Sequence, residues 1–105
     1  MSDSALVAFL ADDRAMELLK AIDKINPIEL PENKLSSIKE VSDVLGWSLR
    51  DTWKLIDKGV TAKALAYHGG ILSRKKVDLT DLGEDIVDAE GTEDLRNIIR
   101  GYNNG

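Results

Sequence analysis

The sequence predicts a mostly α-helical α+β protein with one small antiparallel β-hairpin. Apolar residues recur at three-to-four spacing over residues 4–25 and again in two short stretches within residues 36–58, which is typical of amphipathic helices. The segment "HGG" is a turn signal, and apolar and polar residues alternate over residues 71–79 as in a half-buried strand. Over residues 80–102 the spacing returns to that of helices.

The composition predicts one globular domain over residues 1–105, which is long enough to bury a core without disulfides. There is no cysteine and only one histidine, so we expect no metal centre and no cofactor. The apolar run "ALVAFLA" is too short to span a bilayer and lacks the flanks of a signal peptide. We therefore expect a cytoplasmic protein that does not bind membranes.

Charge is distributed unevenly along the chain, whose net charge is −5. Residues 34–78 contain nine basic and five acidic side chains, whereas the remainder contains five basic and fourteen acidic ones. A basic middle between acidic ends is typical of a surface that faces a polyanion. The alternative is a chance excess of cations on a solvated face, and charge alone does not separate the two.

The N-terminal segment, residues 4–25, is predicted to be one helix or two. "ADD" at residues 11–13 divides it, with Asp12 or Asp13 as the N-cap of the second helix. "NPIELPENK" then excludes a continued helix because of its two prolines. Within it, residues 28–30 are long enough only for a short strand.

Two capped helices are predicted within residues 36–58. Ser37 and Glu40 have the spacing of a capping box, and this helix ends at Gly46. Ser48 begins a second helix in the same way, and Gly59 is expected to end it. The second helix is expected to face the core with Leu49, Trp53 and Ile56.

A hairpin is predicted over residues 60–79, with Val77 and Leu79 pointing inward. Residues 60–67 are its expected first strand, although a helix through "TAKALAY" is the competing interpretation. Thr80 is placed to cap the first of the C-terminal helices, residues 80–102, and Thr92 to cap the last.

The order helix, short strand, helix, tight turn, helix, hairpin, helix is that of a winged helix. "EVSDVLGWSLRDTWKLIDKGV" resembles the helix-turn-helix of MarR-type and ArsR-type repressors, with Val41 and Leu45 as packing positions, Ser42 as the small residue between the helices and Gly46 as the turn glycine. "FLADDRAMELLKAI" is similar to their opening helix, and "VDLTDLGEDIV" to their exit from the wing. Between Gly46 and Gly59 the segment is about one helical turn shorter than in those families.

The resemblance implies a winged helix-turn-helix protein that binds specific sequences of double-stranded DNA. Arg50 and Lys54 share the helix stripe opposite the predicted core face, where a recognition helix meets the major groove. Asp51 and Asp57 lie one turn from Lys54 and are placed to neutralise it. The expected DNA-binding residues are Ser37, Ser48, Arg50, Asp51, Lys54, Lys58, Lys63, Arg74, Lys75 and Lys76.

We expect a homodimeric transcriptional regulator or repressor, since a single recognition helix grips only one half-site. The expected interface residues are Leu6, Phe9, Leu10, Leu95, Ile98, Ile99 and Tyr102. The alternative is a winged-helix protein-interaction module that does not bind DNA, which the acidic total favours. No nucleophile-base motif and no phosphate-binding glycine loop is found, so we do not expect an enzyme.

Overall fold

The computed structural model describes residues 2–26 and 34–89, a mostly helical α+β arrangement with one two-stranded antiparallel sheet. The expected fold class is confirmed at that level. The helices are α1 (Ser2–Leu10), α2 (Ala15–Ile25), α3 (Ile38–Leu45), α4 (Leu49–Thr61) and α5 (Asp81–Asp88), and the strands are β1 (Leu65–His68) and β2 (Lys76–Leu79). The strand expected at residues 28–30 and the last helix, from Thr92 to residue 102, lie outside the described residues.

The predicted division of the N-terminal segment is confirmed, but its predicted cap is wrong. Arg14 occupies the N-cap of α2 and its side chain makes no capping hydrogen bond. Asp12 instead accepts a hydrogen bond at 2.9 Å from the backbone amide of Arg14, which stabilises the turn between α1 and α2.

The predicted start of α3 is confirmed. The Ser37 hydroxyl accepts from the Glu40 amide at 3.2 Å, and the Ser37 amide donates to the Glu40 carboxylate at 3.3 Å. Gly46 ends α3 in a left-handed conformation with φ 71°, which glycine adopts without steric cost. The predicted caps Ser48 and Thr80 are confirmed as well, at the starts of α4 and α5.

The predicted C-terminal boundary of α4 is wrong, because the helix passes Gly59 and ends at Thr61. Gly59 lies inside the helix, where an added Cβ would come within 2.6 Å of the Leu65 side chain. Lys63 follows in a left-handed conformation with φ 65°. The amides of Lys63 and Ala64 donate to the carbonyls of Val60 and Gly59, the paired bonds of a Schellman motif.

The hairpin has the expected antiparallel partner, but both strands are shorter than predicted. α4 ends at Thr61 and β1 begins at Leu65, so residues 60–61 are helical and are not part of the first strand. The helical alternative fails for residues 65–67, which belong to β1. β2 begins only at Lys76, and the turn expected at "HGG" is a longer hairpin loop, residues 69–75, with a 3-10 turn at Leu72–Arg74. The predicted inward positions Val77 and Leu79 are confirmed as buried.

Ser36 and Ser37 extend the sheet beside β2. The Val77 amide donates to the Ser36 carbonyl at 3.1 Å, and the Ile38 amide donates to the Lys75 carbonyl at 3.0 Å. An isolated antiparallel bridge joins Ser37 and Lys76. The start of α3 is therefore fixed to the hairpin next to its loop.

All five helices and the sheet contribute to one apolar core. Its largest fully buried side chains include Phe9, Leu18, Leu19, Ile22, Ile38, Val41, Leu55, Ile56, Leu65, Val77 and Ile86. None of the helices among the described residues is long and apolar enough to cross a membrane.

Candidate nucleic-acid interface

The orientation of α4 decides which side chains face solvent. Its buried stripe consists of Thr52, Leu55, Ile56 and Gly59. Of the predicted core-facing residues, Ile56 is confirmed as fully buried. Leu49 and Trp53 are only half-buried, so the buried stripe is rotated about the helix axis from the predicted one. Thr52 is fully buried despite its hydroxyl, because that hydroxyl donates at 2.9 Å to the Ser48 carbonyl one turn earlier.

Arg50 and Lys54 are exposed on the outer face of α4. No described residue forms an ion pair with either of them. Asp51 and Asp57, which were expected to neutralise Lys54, are exposed nearby without pairing to it. The two cations are thus available to an external anion, although the aspartates lower the local positive potential.

Asp57 is engaged by the hairpin. The Tyr67 hydroxyl of β1 donates a hydrogen bond to the Asp57 carboxylate. Burial raises the pKa of Tyr67, and the hydrogen bond and negative charge of Asp57 raise this pKa further. The Lys75 ammonium lies 4.5 Å from the centre of the Tyr67 ring, a cation–π contact. Tyr67 therefore joins the outer face of α4 to the hairpin loop.

The three cations at the end of the hairpin loop point to different places. Arg74 is exposed and forms no ion pair with a described residue. Lys75 packs on Tyr67, whereas the Lys76 ammonium lies 3.9 Å from the Glu40 carboxylate at the start of α3. The charge of Lys76 is partly compensated by the Glu40 carboxylate, so Arg74 and Lys75 are better placed to bind phosphates.

The remaining predicted residues are more dispersed. Ser37 is buried and its hydroxyl is used within the capping box. Ser48 is exposed, and its hydroxyl accepts a hydrogen bond from the Asp51 backbone amide at 3.1 Å. Lys58 faces a cleft towards α1 that is also lined by Ala5, Ala8 and Phe9. Lys63 lies at the base of the hairpin, where its carbonyl accepts from Thr80, so it does not join the cations of the hairpin loop.

A polar cleft of about 450 Å³ separates α4 from the turn between α1 and α2. It is lined by Leu55 and by residues of both charges, namely Asp12, Arg14, Asp51, Lys54, Asp57 and Lys58. Arg14 also lies 5.1 Å from the centre of the Trp47 ring, which brings the α1–α2 turn close to the α3–α4 turn. The outer face of α4 therefore lies between two features. The mixed-charge cleft borders it on one side, and the hairpin borders it on the other.

A buried amide absent from the predicted site holds the sheet in position. Asn26 at the end of α2 donates from Nδ2 to the Val77 carbonyl at 2.8 Å and accepts at Oδ1 from the Ser36 amide at 2.9 Å. It thereby links α2, the segment before α3 and β2. Its sequence context, Asn-Pro, indicates only a turn, and no local signal identifies the two distant partners.

Leu6 and Phe9 are two of the residues predicted for a dimer interface, and that interface stays a prediction. Both side chains are buried within the protein's own core. Leu10 is only half-buried, and its place in an interface stays a prediction. The other predicted interface residues, Leu95, Ile98, Ile99 and Tyr102, lie outside the described residues.

Four carboxylates act on Glu84 of α5 through their negative charge, namely Asp23, Asp78, Asp81 and Asp88, from α2, β2 and α5. Desolvation raises the pKa of Glu84, and repulsion from these four carboxylates raises it further. In residues 2–26 and 34–89, no three acidic, histidine or cysteine side chains are grouped so that they could hold a metal ion.

Comparison with known proteins adds no relative. No family model matches the chain, and neither a curated protein nor a solved structure is significantly similar to it.

Proposed function

We propose that this protein is a winged helix-turn-helix that binds specific sequences of double-stranded DNA and acts as a small cytoplasmic transcriptional regulator. The observation that carries the proposal is the pair of exposed cations Arg50 and Lys54 on α4, free of ion pairs with described residues. Two exposed cations on a helix that follows a tight turn are suited to contact DNA in the major groove.

Three structural features support the proposal. The α3–turn–α4 unit has only three residues between its helices, and α4 is followed directly by the hairpin. Ser36 and Ser37 lie beside β2, as the short first strand of a winged helix does. Tyr67 connects the hairpin to α4, so that Arg74 and Lys75 could bind phosphates of the same duplex.

In this proposal the contacts divide into two kinds. Arg50 reads a base edge, because its planar fork matches the two acceptors of guanine in the major groove. Arg74 and Lys75 bind phosphates, which contribute affinity without sequence information. Homodimerisation is part of the proposal, with Leu10 and the predicted residues beyond the described part of the chain as its interface.

The second candidate is a protein-interaction module, and the mixed charge of the α4 surface favours it. Asp12, Asp51 and Asp57 line the same cleft as Lys54 and Lys58. These carboxylates would repel DNA phosphates but would complement a partner protein that carries both charges.

The test is fluorescence anisotropy with labelled random duplexes at about 50 mM and about 200 mM salt, followed by selection of bound sequences. We expect binding that weakens steeply with salt and is largely lost in Arg50→Ala/Lys54→Ala. Lys20→Ala, which removes an exposed charge from α2, is the control. Absence of binding at the lower salt, or a double variant that binds like the wild type, contradicts the proposal.

A further inference from the structure

The most exposed large apolar side chains among the described residues lie together in the hairpin loop. Ile71 is 73% exposed and Leu72 is 72% exposed. Val44 and Val7 are the other exposed large hydrophobic residues, at 57% and 53%, and they lie singly on helices. Single exposed apolar residues are common on protein surfaces, whereas two adjacent ones at the tip of a loop indicate a contact.

The hairpin loop has a defined backbone that presents these two side chains. The amides of Arg74 and Lys75 donate to the carbonyls of Ile71 and Leu72 at 3.0 Å and 3.1 Å. The Lys76 backbone amide donates to the Gly69 carbonyl at 2.9 Å, and this hydrogen bond closes the loop. Gly70 has φ +87°, and an added Cβ there would lie 2.5 Å from the Arg74 carbonyl oxygen. The tip is therefore formed before any partner binds.

Leu72 is in a strained backbone conformation. Its φ is 52°, in the left-handed region where glycine, asparagine and aspartate are the usual residues. A leucine at such a position has to adopt this φ while its side chain gains no burial in return. Strain of this kind is commonly found at functional sites, and here it coincides with one of the two most exposed large apolar side chains of the described residues.

The charged residues next to the tip of the hairpin loop indicate which kind of partner the tip contacts. Arg74 and Lys75 follow Leu72 after one intervening residue. Lys75 is connected through Tyr67 and Asp57 to the face of α4 that carries Arg50. Two apolar side chains are a small anchor for a lipid surface, since membrane binding scales with the buried apolar area. They are sufficient for a base step, where leucine and isoleucine are among the residues that insert from the minor groove.

We propose that Ile71 and Leu72 form an apolar wedge that enters the minor groove, partly unstacks one base step and bends the duplex. The inference rests on the proposed function and adds to it a mode of binding and a distortion of the DNA. Arg74 and Lys75 hold the flanking phosphates while the wedge is inserted. A TA step is the preferred position, because pyrimidine–purine steps unstack most easily.

The test uses a G·C-rich duplex with a single TA step, a 2-aminopurine beside that step and a dye pair at its ends. Anisotropy reports binding, 2-aminopurine fluorescence reports unstacking, and energy transfer reports bending. The variant is Ile71→Ser/Leu72→Asn, in which asparagine tolerates the left-handed conformation. The matched control is Val44→Ser, which removes an exposed apolar residue from α3. Unfolding curves verify that all three proteins fold.

We expect wild type and Val44→Ser to raise both the 2-aminopurine fluorescence and the energy transfer. The double variant should bind the duplex with loss of both signals. Wild-type binding without either signal, or equal signals from the double variant, overturns the wedge and leaves the proposed function standing. If wild type does not bind the duplex at low salt, both the wedge and the proposed function are contradicted. Wild type and the double variant are also mixed with phosphatidylcholine vesicles containing a minority of phosphatidylserine. Vesicle binding by wild type that the double variant loses, with unchanged DNA signals, assigns the tip to a membrane and overturns the wedge.

Discussion

The Tyr67 hydroxyl and the Asp57 carboxylate form a hydrogen bond that joins β1 to the exposed face of α4. Tyr67 also supports the Lys75 ammonium on its ring, so one side chain organises an acid and a base from two elements. In this arrangement the Asp57 carboxylate, which lines the same surface cleft as Arg50 and Lys54, is oriented by a neutral donor instead of by a cation. The joint between α4 and the hairpin therefore influences both stability and the charge available to a ligand.

Replacing Tyr67 by phenylalanine tests this joint. We expect Tyr67→Phe to lower the free energy of unfolding by about 0.5–1.5 kcal/mol, the usual net value of one hydrogen bond, in denaturant titrations. The raised pKa of Tyr67 means that the folded state holds the phenolic proton more tightly than the unfolded state. This contribution is fully present below the ordinary tyrosine pKa of about 10 and is lost as the pH rises above it. The difference between wild type and Tyr67→Phe should therefore shrink at alkaline pH, and a constant difference would contradict this account.

Asn26 is expected to be among the most sensitive polar positions. Asn26→Ala leaves the Ser36 amide and the Val77 carbonyl without their buried partner. Each unsatisfied group costs about 1–3 kcal/mol, so we expect a loss of roughly 2–4 kcal/mol in the free energy of unfolding. Lys24→Ala, an exposed change one half-turn earlier, is the control. If Asn26→Ala costs no more than Lys24→Ala, the amide does not link α2 to the sheet.

Lys63 is predicted to be a site where glycine stabilises the fold. Lys63 lies at the left-handed position of the Schellman motif after α4, and a non-glycine residue there costs about 1–2 kcal/mol. After the entropy of glycine in the unfolded chain is subtracted, Lys63→Gly should raise stability by up to about 1 kcal/mol. Lys58→Gly within α4 is the matched control and should lower it by about 1 kcal/mol. The prediction would be refuted if the melting temperatures of Lys63→Gly and Lys58→Gly were both above, or both below, that of wild type.

Glu84 is expected to destabilise the fold at neutral pH through its acidic neighbours. Its pKa is raised by desolvation and by Asp81, Asp78, Asp23 and Asp88, so the folded state favours the protonated form. That favourable contribution is present below the ordinary glutamate pKa of about 4.3 and is lost as the pH rises through the raised value. Glu84→Gln should therefore raise the free energy of unfolding at pH 7, and less so at high salt. Glu17→Gln on α2 is the control, and a Glu84→Gln variant less stable than wild type at pH 7 would contradict the expectation.

The proposed function assigns base recognition to α4 and phosphate binding to the hairpin loop. It therefore predicts two different DNA-binding defects. Arg50→Ala should narrow the gap between the selected site and random duplex by about 1–3 kcal/mol, the value of one bidentate contact. Arg74→Ala should weaken binding to all sequences alike and lower the salt slope by about 1. Lys76→Ala should have a smaller effect than Arg74→Ala, because Lys76 lies 3.9 Å from Glu40. Anisotropy titrations over a range of salt distinguish these outcomes, and a sequence-selective effect of Arg74→Ala would reverse the assignment.

The local sequence alone determined where most helices begin and where α3 ends. Ser37, Ser48 and Thr80 cap their helices through amides three residues ahead, and Gly46 adopts its φ because it lacks a side chain. These interactions are complete within a few residues, so no distant part of the chain can alter them much. The alternation that placed Val77 and Leu79 inward is equally local.

The tertiary structure decided the features whose partners are far apart in the chain. The boundary between α4 and β1 depends on β1 pairing with β2, so the alanine-rich segment before Leu65 was ambiguous by itself. The packing of α1 and β1 on Gly59 set which stripe of α4 is buried and hence turned Trp53 to the edge of the core. Asn26 acquired its role from amide and carbonyl groups ten and fifty-one residues away. Burial and long-range hydrogen bonding select among locally acceptable conformations, and that selection requires the assembled chain.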